Sequence, residues 1–355
     1  MILPPLKRGP WRLKDLESVS KHGLKVFSCF HCAGGSSMGY KLAGYDVVGG
    51  VEIDPQMMAV YRKNHQPRHS YLESIVEFNK RSLESLPEEL HEIDVLDGSP
   101  PCSSFSMVGD REQKWGVLKI FREGQAKQIL DDLFGHFIMT VNLLRPKVVV
   151  AENVKGMLVG HARGYIKEIF DAFKVIGYDC QLYLLDASKM GVPQRRQRVF
   201  FIANRIDKKI DLRFDETPVS AYEAMHDVRP LNPKMGSPLF TRNWTNAGVG
   251  RPFGTSRGEG VKSAKRLDPR LPSLTLTATG GIAHWSEPRR VQGLEVNRIQ
   301  SFPDDFDFNG VNETYVCGMS VPPFMMQRVA TEVARQMFGI GRPATIGSQS
   351  KDMAS

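Results

Sequence analysis

A strand that is apolar on both faces has to be covered on both faces, and Lys147-Val148-Val149-Val150-Ala151-Glu152-Asn153-Val154 reads as such a strand. A near-continuous run of this kind belongs in the middle of a parallel α/β sheet. It ends in Glu152, and a carboxylate at a buried strand tip is costly unless it has a partner or a task. An ion pair with a neighbouring arginine and a functional acid both satisfy that demand, and these residues alone leave both open.

Shorter runs fit the same architecture. Residues 24–30 read as a buried strand, followed by His31-Cys32-Ala33-Gly34-Gly35-Ser36-Ser37-Met38-Gly39. This is a strand, glycine turn and helix unit, in which the N–H groups of the helix start can hold a ligand. The run 47–51 ends in Glu52-Ile53-Asp54, with a carboxylate where nucleotide-binding α/β folds grip a ribose. The run 93–96 leads into Asp97-Gly98-Ser99-Pro100-Pro101-Cys102. Two prolines fix φ and restrict the residues before them, so the Cys102 thiol is expected on a stiff turn just past a strand end. A passenger thiol on an ordinary Pro-Pro turn is the competing reading.

With 355 residues, 41% of them apolar, the chain can bury one large core or two ordinary ones. No apolar run is long enough to span a bilayer, and residues 1–12 lack a signal-peptide apolar region, so a cytoplasmic protein without membrane contact is expected. The five cysteines, Cys29, Cys32, Cys102, Cys180 and Cys317, are too few and too scattered for a disulfide scaffold. Cys29 and Cys32 form a Cys-x-x-Cys with no second Cys/His pair nearby, which argues against metal. A formal charge of +8 favours a polyanionic partner, with basic stretches at 195–198, 251–270 and 289–290.

Pro-Pro-Cys-x-x-Phe-Ser at 100–106 resembles the nucleophile motif of the DNA cytosine-5 methyltransferases, and further motifs of that family follow in order between about residues 25 and 338. The resemblance implies an α/β fold: a Rossmann-like S-adenosylmethionine-dependent methyltransferase sheet with a smaller, irregular target-recognition domain. It divides the chain into an N-terminal extension (1–23), a catalytic and cofactor-binding domain (24–210), a target-recognition region (211–290), a segment returning to the catalytic domain (291–340) and a disordered tail (341–355). By the same resemblance Cys102, Glu152, Arg196 and Arg198 are catalytic, the last two from Gln194-Arg195-Arg196-Gln197-Arg198.

S-adenosyl-L-methionine, leaving as S-adenosyl-L-homocysteine, is implied to lie against Phe30, Cys32, Ala33, Gly34, Gly35, Glu52, Ile53, Ser74, Ile75, Pro101, Leu133, Met319 and Ser320. Four positions depart from the family pattern. Cys32 replaces its first glycine, Ser28 an aspartate often found two residues before the Phe, Ser74-Ile75 an aspartate near the adenine, and Met319 an asparagine. Double-stranded DNA is the implied partner. It would be contacted by Ser103, Ser104 and Ser106 at the start of a polar stretch (103–128) that reads as a closing lid, by Arg242, Asn243, Arg251 and Arg257, and by Thr277, Gly280 and Gly281.

The implied reaction is methyl transfer to C5 of a cytosine in a particular duplex sequence, through base extrusion and a Cys102–C6 adduct. The enzyme would act as a monomer on DNA, associated with the nucleoid, with or without a cognate restriction endonuclease. Two alternatives remain at this stage: an RNA cytosine-5 methyltransferase of similar architecture, and a catalytically idle DNA-binding protein. Hydride transfer is disfavoured, because the glycine spacing is wrong and a Pro-Pro-Cys nucleophile has no place in it.

Overall fold

The computed structural model describes residues 2–101, 133–159, 162–253 and 264–341. Cys102, Ser103, Ser104, Ser106 and Arg257 lie outside the described residues, as do the stretch read as a lid and positions 342–355 of the expected tail.

Strand β1 (Lys25–Cys29) lies inside a seven-stranded sheet. From it the chain moves to one edge through α1 (Gly35–Leu42), β2 (Asp46–Glu52), α2 (Pro55–His65) and β3 (His69–Leu72). After the short α3 (Ile75–Phe78) it returns on the other side of β1 as β4 (Val95–Gly98). Helix α4 (Leu133–Leu144), β5 (Val148–Val154), α5 (Ala162–Val175), β6 (Asp179–Asp186) and β7 (Gln197–Asn204) complete the order β3-β2-β1-β4-β5-β7-β6. The order reverses between β1 and β4, which places the ligand crevice of such a sheet at the carboxyl ends of those strands.

The expectation that β5 has parallel neighbours holds on one side only: it is parallel to β4 and antiparallel to β7. That reversal matters for the site. It sets the beginning of β7 beside the end of β5, with Arg198 in register with Val154.

The remainder consists of α6 (Ala221–Met225), α7 (Pro238–Asn246), β8 (Pro252–Phe253), β9 (Ala264–Arg266), β10 (Ile282–Ala283), α8 (Leu294–Gln300), α9 (Glu313–Met319) and α10 (Pro323–Phe338). Strands β8 to β10 form a separate three-stranded sheet in the order β10-β9-β8. It has its own small core of Phe240, Trp244, Phe253, Ala264 and Ala283. The Arg266 guanidinium lies 3.8 Å from the Trp244 ring centroid, which adds a cation–π contact to that core.

Alternation along the strands divides the large core in two. Val26, Val95, Val148, Val150 and Phe200 face α1 and α10. Phe27, Cys29, Leu96, Val149, Ala151 and Phe201 face the α4–α5 side. Helix α10 lies directly on α1. A Cβ at Gly39 would stand 2.5 Å from the Met326 Cβ and 2.6 Å from the Pro323 carbonyl oxygen, so only glycine permits this approach.

The segment read as an N-terminal extension is part of the same packing. Trp11 is buried, its ring centroid 6.3 Å from that of Phe324, and its Nε1 donates to the Ser301 carbonyl at 3.0 Å. Among the described residues, no helix is long and apolar enough to cross a membrane.

Candidate active site

The site is a polar row across strand tips. Alternate residues of a strand share a face, so Ser28, Asp97, Glu152 and Arg198 continue the positions of Val26, Val95, Val150 and Phe200 on the side covered by α1 and α10. The Arg198 Nε lies 2.9 Å from Glu152 Oε1, and both side chains are largely buried. Asn153 points the other way and donates a buried hydrogen bond from Nδ2 to the Pro100 carbonyl at 3.0 Å. The tip of β5 therefore fastens the Pro-Pro turn whose next residue is Cys102.

The turn after β1 takes an unusual path: Phe30, Cys32 and Gly34 have φ of 55°, 52° and 91°. The left-handed region is unfavourable for residues with a Cβ, so Phe30 and Cys32 are held there by their surroundings. The Cys32 N–H donates to Glu52 Oε2 at 2.9 Å, and the Asp54 N–H donates to Glu52 Oε1 at 2.9 Å. Glu52 thus ties the tip of β2 to the turn, and burial pushes its pKa up to about 7. The Cys32 thiol rests 3.4 Å from the Met57 sulfur and is pushed up to about 12, chiefly by burial, which removes it as a nucleophile.

Behind the turn stands a stack that sequence reading gave no role. His31 lies 3.8 Å from Tyr61, centroid to centroid, and Tyr61 4.4 Å from His65. A Cβ at Gly34 would meet His65 Nε2 at 2.2 Å, so the stack fixes how close the turn can come. Burial holds His31 down to about 4 and keeps it neutral.

The other expected cofactor residues are distributed unevenly. Ser320 is buried, donates from Oγ to the Val316 carbonyl at 2.7 Å, and lies 4.0 Å from the Cys32 sulfur, which brings the last motif to the first. Met319 is 48% exposed beside it. Ser74 accepts from the Glu77 N–H as the cap of α3, Ile53 and Pro101 are half-buried, and Ile75 and Leu133 are packed in the core on the α4–α5 side.

Arg196 is buried away from solvent and donates to three carbonyls, those of Leu276 at 2.8 Å, Gly318 at 2.9 Å and Ser320 at 3.1 Å. Gln194, to which the motif reading assigned nothing, accepts from the Leu276 N–H and donates to Gln300 Oε1 at 2.6 Å. Within this motif Gln194 and Arg196 bolt three segments together, and Arg198 alone reaches the Glu152 carboxylate.

On the recognition side, Thr277, Gly280 and Gly281 make a tight turn, with Thr277 Oγ1 donating to the Gly280 carbonyl at 2.7 Å and φ of 80° and 101° at the glycines. Arg242 and Arg251 are exposed and Asn243 is half-buried. The arginines of the basic stretches divide between surface and interior. Arg289 is 1% exposed and paired with Glu295 at 2.6 Å, Arg270 is paired with Asp268 at 2.8 Å, and Arg198 with Glu152. Arg196 and Arg289 are thus buried, whereas Arg195, Arg251, Lys265, Arg270 and Arg290 of the same stretches are exposed. No group of three metal-ligating side chains occurs among the described residues.

The model of the C-5 cytosine-specific DNA methylase family matches residues 24–237 and 234–335. The type II methyltransferase M.NgoPII of Neisseria gonorrhoeae is 28% identical over 360 residues, covering 92% of this chain and 99% of its own. M1.HphI of Haemophilus parahaemolyticus is 28% identical over 339 residues, covering 88% and 87%. Among solved structures, a DNA modification methyltransferase described as encoded within an E. coli prophage superposes with a TM-score of 0.70 at 21% identity, covering 89% of this chain and 99% of its own. The Dnmt2 methyltransferase of S. pombe superposes with a TM-score of 0.60 at 14% identity, with the same coverage.

Proposed function

Because this chain belongs to the C-5 cytosine-specific DNA methylase family, we propose that it methylates C5 of a cytosine in a particular duplex sequence, using S-adenosyl-L-methionine, base extrusion and a covalent bond from Cys102 to C6. The observation that carries the reading is the Asn153–Pro100 hydrogen bond. It fastens the turn leading to Cys102 to the strand tip that bears the Glu152–Arg198 pair.

C5 of cytosine is a weak nucleophile, and each residue answers part of that problem. The Cys102 thiolate forms a bond to C6, and a proton carried by Glu152 goes to N3, so that the ring electrons collect at C5. Arg198 orients the Glu152 carboxyl and compensates its charge when the proton has left. S-adenosyl-L-methionine supplies an electrophilic methyl group and departs as S-adenosyl-L-homocysteine. Loss of the C5 proton to solvent then breaks the C6–S bond and releases Cys102 as thiolate, while the N3 proton returns to Glu152. The base has to leave the duplex first, at a cost of a few kcal/mol.

The residues at hand suit a cofactor with a ribose and a positive charge. Glu52 offers carboxylate oxygens at the tip of β2 next to the glycine turn, and an unpartnered oxygen of Asp97 lies buried in the same crevice. In this reading Phe30, Cys32, Ala33, Gly34, Gly35, Glu52, Pro101 and Ser320 form the cofactor site, and Arg196 positions it. Ser103, Ser104, Ser106, Arg242, Arg251, Arg257 and the Thr277–Gly281 turn meet DNA. Kinship with type II methyltransferases supports a place in restriction–modification, in the cytoplasm on nucleoid DNA.

The test is transfer of labelled methyl from S-adenosyl-L-methionine to mixed-sequence duplex DNA and to tRNA. Label at C5 of cytosine in DNA alone is expected; label in tRNA alone would move the enzyme to an RNA substrate.

A further inference from the structure

Two cavities meet at Arg290. The larger, about 500 Å³, has Lys234, Met235 and the start of α7 on one side and Arg290, Val291 and Glu313 on the other. The smaller, about 220 Å³, extends from Arg290 to the turn at Ala278, Thr279 and Gly280. Arg290, Val291, Asn312 and Thr314 are walls of both, so the two are adjoining chambers of one groove. Glu52, Glu152, Arg196, Arg198 and Ser320 line neither chamber. The larger one falls in the range of about 300–1,000 Å³ that holds small ligands.

Backbone pairing places the cations of this groove. Met235 and Arg289 form an antiparallel bridge, and the Gly236 N–H donates to the Pro288 carbonyl at 2.9 Å. Lys234 and Arg290 are therefore the next opposed pair, fastened by Gln292, whose Oε1 accepts from the Lys234 N–H at 3.1 Å. Both side chains are exposed, and neither the ammonium nor the guanidinium has a hydrogen-bond or ion-pair partner among the described residues. Like charges directly opposite each other destabilise such a pairing. The guanidinium lies against the Gly280 turn, where an added Cβ would stand 3.3 Å from Nη1. Glu313 is the one carboxylate in the walls, and its Oε1 accepts from the Gly293 N–H at 3.0 Å. Beside the cations the wall is apolar: Met235 is 50% exposed, and Leu239, Phe240 and Val291 continue its surface.

Two opposed cations beside an apolar wall call for an anion with an apolar part. We propose that this groove binds a nucleotide unit, with its phosphate between Lys234 and Arg290 and its sugar and base along Met235, Leu239 and Val291. One phosphate relieves the repulsion and takes charge-assisted hydrogen bonds from both side chains. The unit has two sources, a DNA strand passing the turn at Gly280 and a free mononucleotide. The first of these rests on the DNA reading above.

The experiment compares the wild type with Lys234→Gln/Arg290→Gln, in which two exposed side chains lose their charge. A third protein, Glu313→Gln, loses a negative charge and keeps an acceptor for the Gly293 N–H. A labelled mixed-sequence duplex is titrated by fluorescence anisotropy at several salt concentrations. Deoxyadenosine monophosphate is titrated by calorimetry, with deoxyadenosine as the control that lacks the phosphate. For a DNA source, the double variant should bind the duplex about tenfold more weakly, with the slope of log K against log salt reduced by about 1, and Glu313→Gln should bind it more tightly. For a free nucleotide, the same two changes should weaken and strengthen binding of the monophosphate, leaving the duplex and deoxyadenosine unaffected. Affinities for duplex and monophosphate that are both unaltered in the double variant would overturn the site and leave the DNA reading standing. A wild type that binds the monophosphate but no duplex would remove that reading and keep the site; one that binds neither would remove both.

Discussion

Glu152 satisfies both demands that a carboxylate at a buried strand tip can meet. It is ion-paired, to Arg198 at 2.9 Å, and the pair stands at the end of the strand that also fixes the Pro-Pro turn. Replacing it by glutamine keeps an acceptor for Arg198 but removes the acid proton. Glu152→Gln should therefore lower the rate of methyl transfer by about 10²–10³-fold, with cofactor affinity nearly unchanged, as read by single-turnover kinetics and calorimetry. Glu152 and Glu52 were visible in the sequence because each ends an apolar run. Asp97 ends one too, but its meaning depends on Ser28, a strand neighbour 69 residues away. A glycine-turn motif likewise gives no hint that Tyr61 and His65 on α2 stack behind it.

Among the elements, α1 and α10 carry the most weight, since their contact returns the last motif of the chain to the first. The close approach at Gly39 leaves no room for a side chain. Gly39→Leu should destabilise the protein by about 3 kcal/mol, measured by urea denaturation, because the clash is partly with backbone and cannot be relieved by a rotamer change. The return of residues 291–340 to the catalytic domain was implied by the family resemblance. Helix α7 was not: the many glycines and prolines of 211–290 hid a serine cap followed by proline at the first position. The antiparallel setting of β7 was also out of reach. A short apolar run has the same appearance in either direction, and only the path through α5 and β6 decides it.

Across the whole molecule, buried ion pairs leave the net charge of +8 unchanged, because each removes one charge of either sign, but they take arginines away from the surface that a nucleic acid would meet. Arg289, Arg298 and Arg328 are buried in ion pairs with Glu295, Asp304 and Glu216, and Arg196 is committed to carbonyls. Arg242 and Arg251 are among the exposed arginines of the recognition side. Composition counts such residues alike, and only packing separates those that hold the fold from those that face a partner. The proposed function turns on one bond, from Cys102 to C6 of an extruded cytosine. It is tested most directly by incubating the protein with S-adenosyl-L-methionine and duplex DNA containing 5-fluorocytosine, followed by a denaturing gel. Fluorine cannot leave C5 as the proton does, so a denaturation-resistant adduct that maps to Cys102 and is lost in Cys102→Ser is the predicted result. An adduct at another residue, or none on any duplex sequence, would contradict the account.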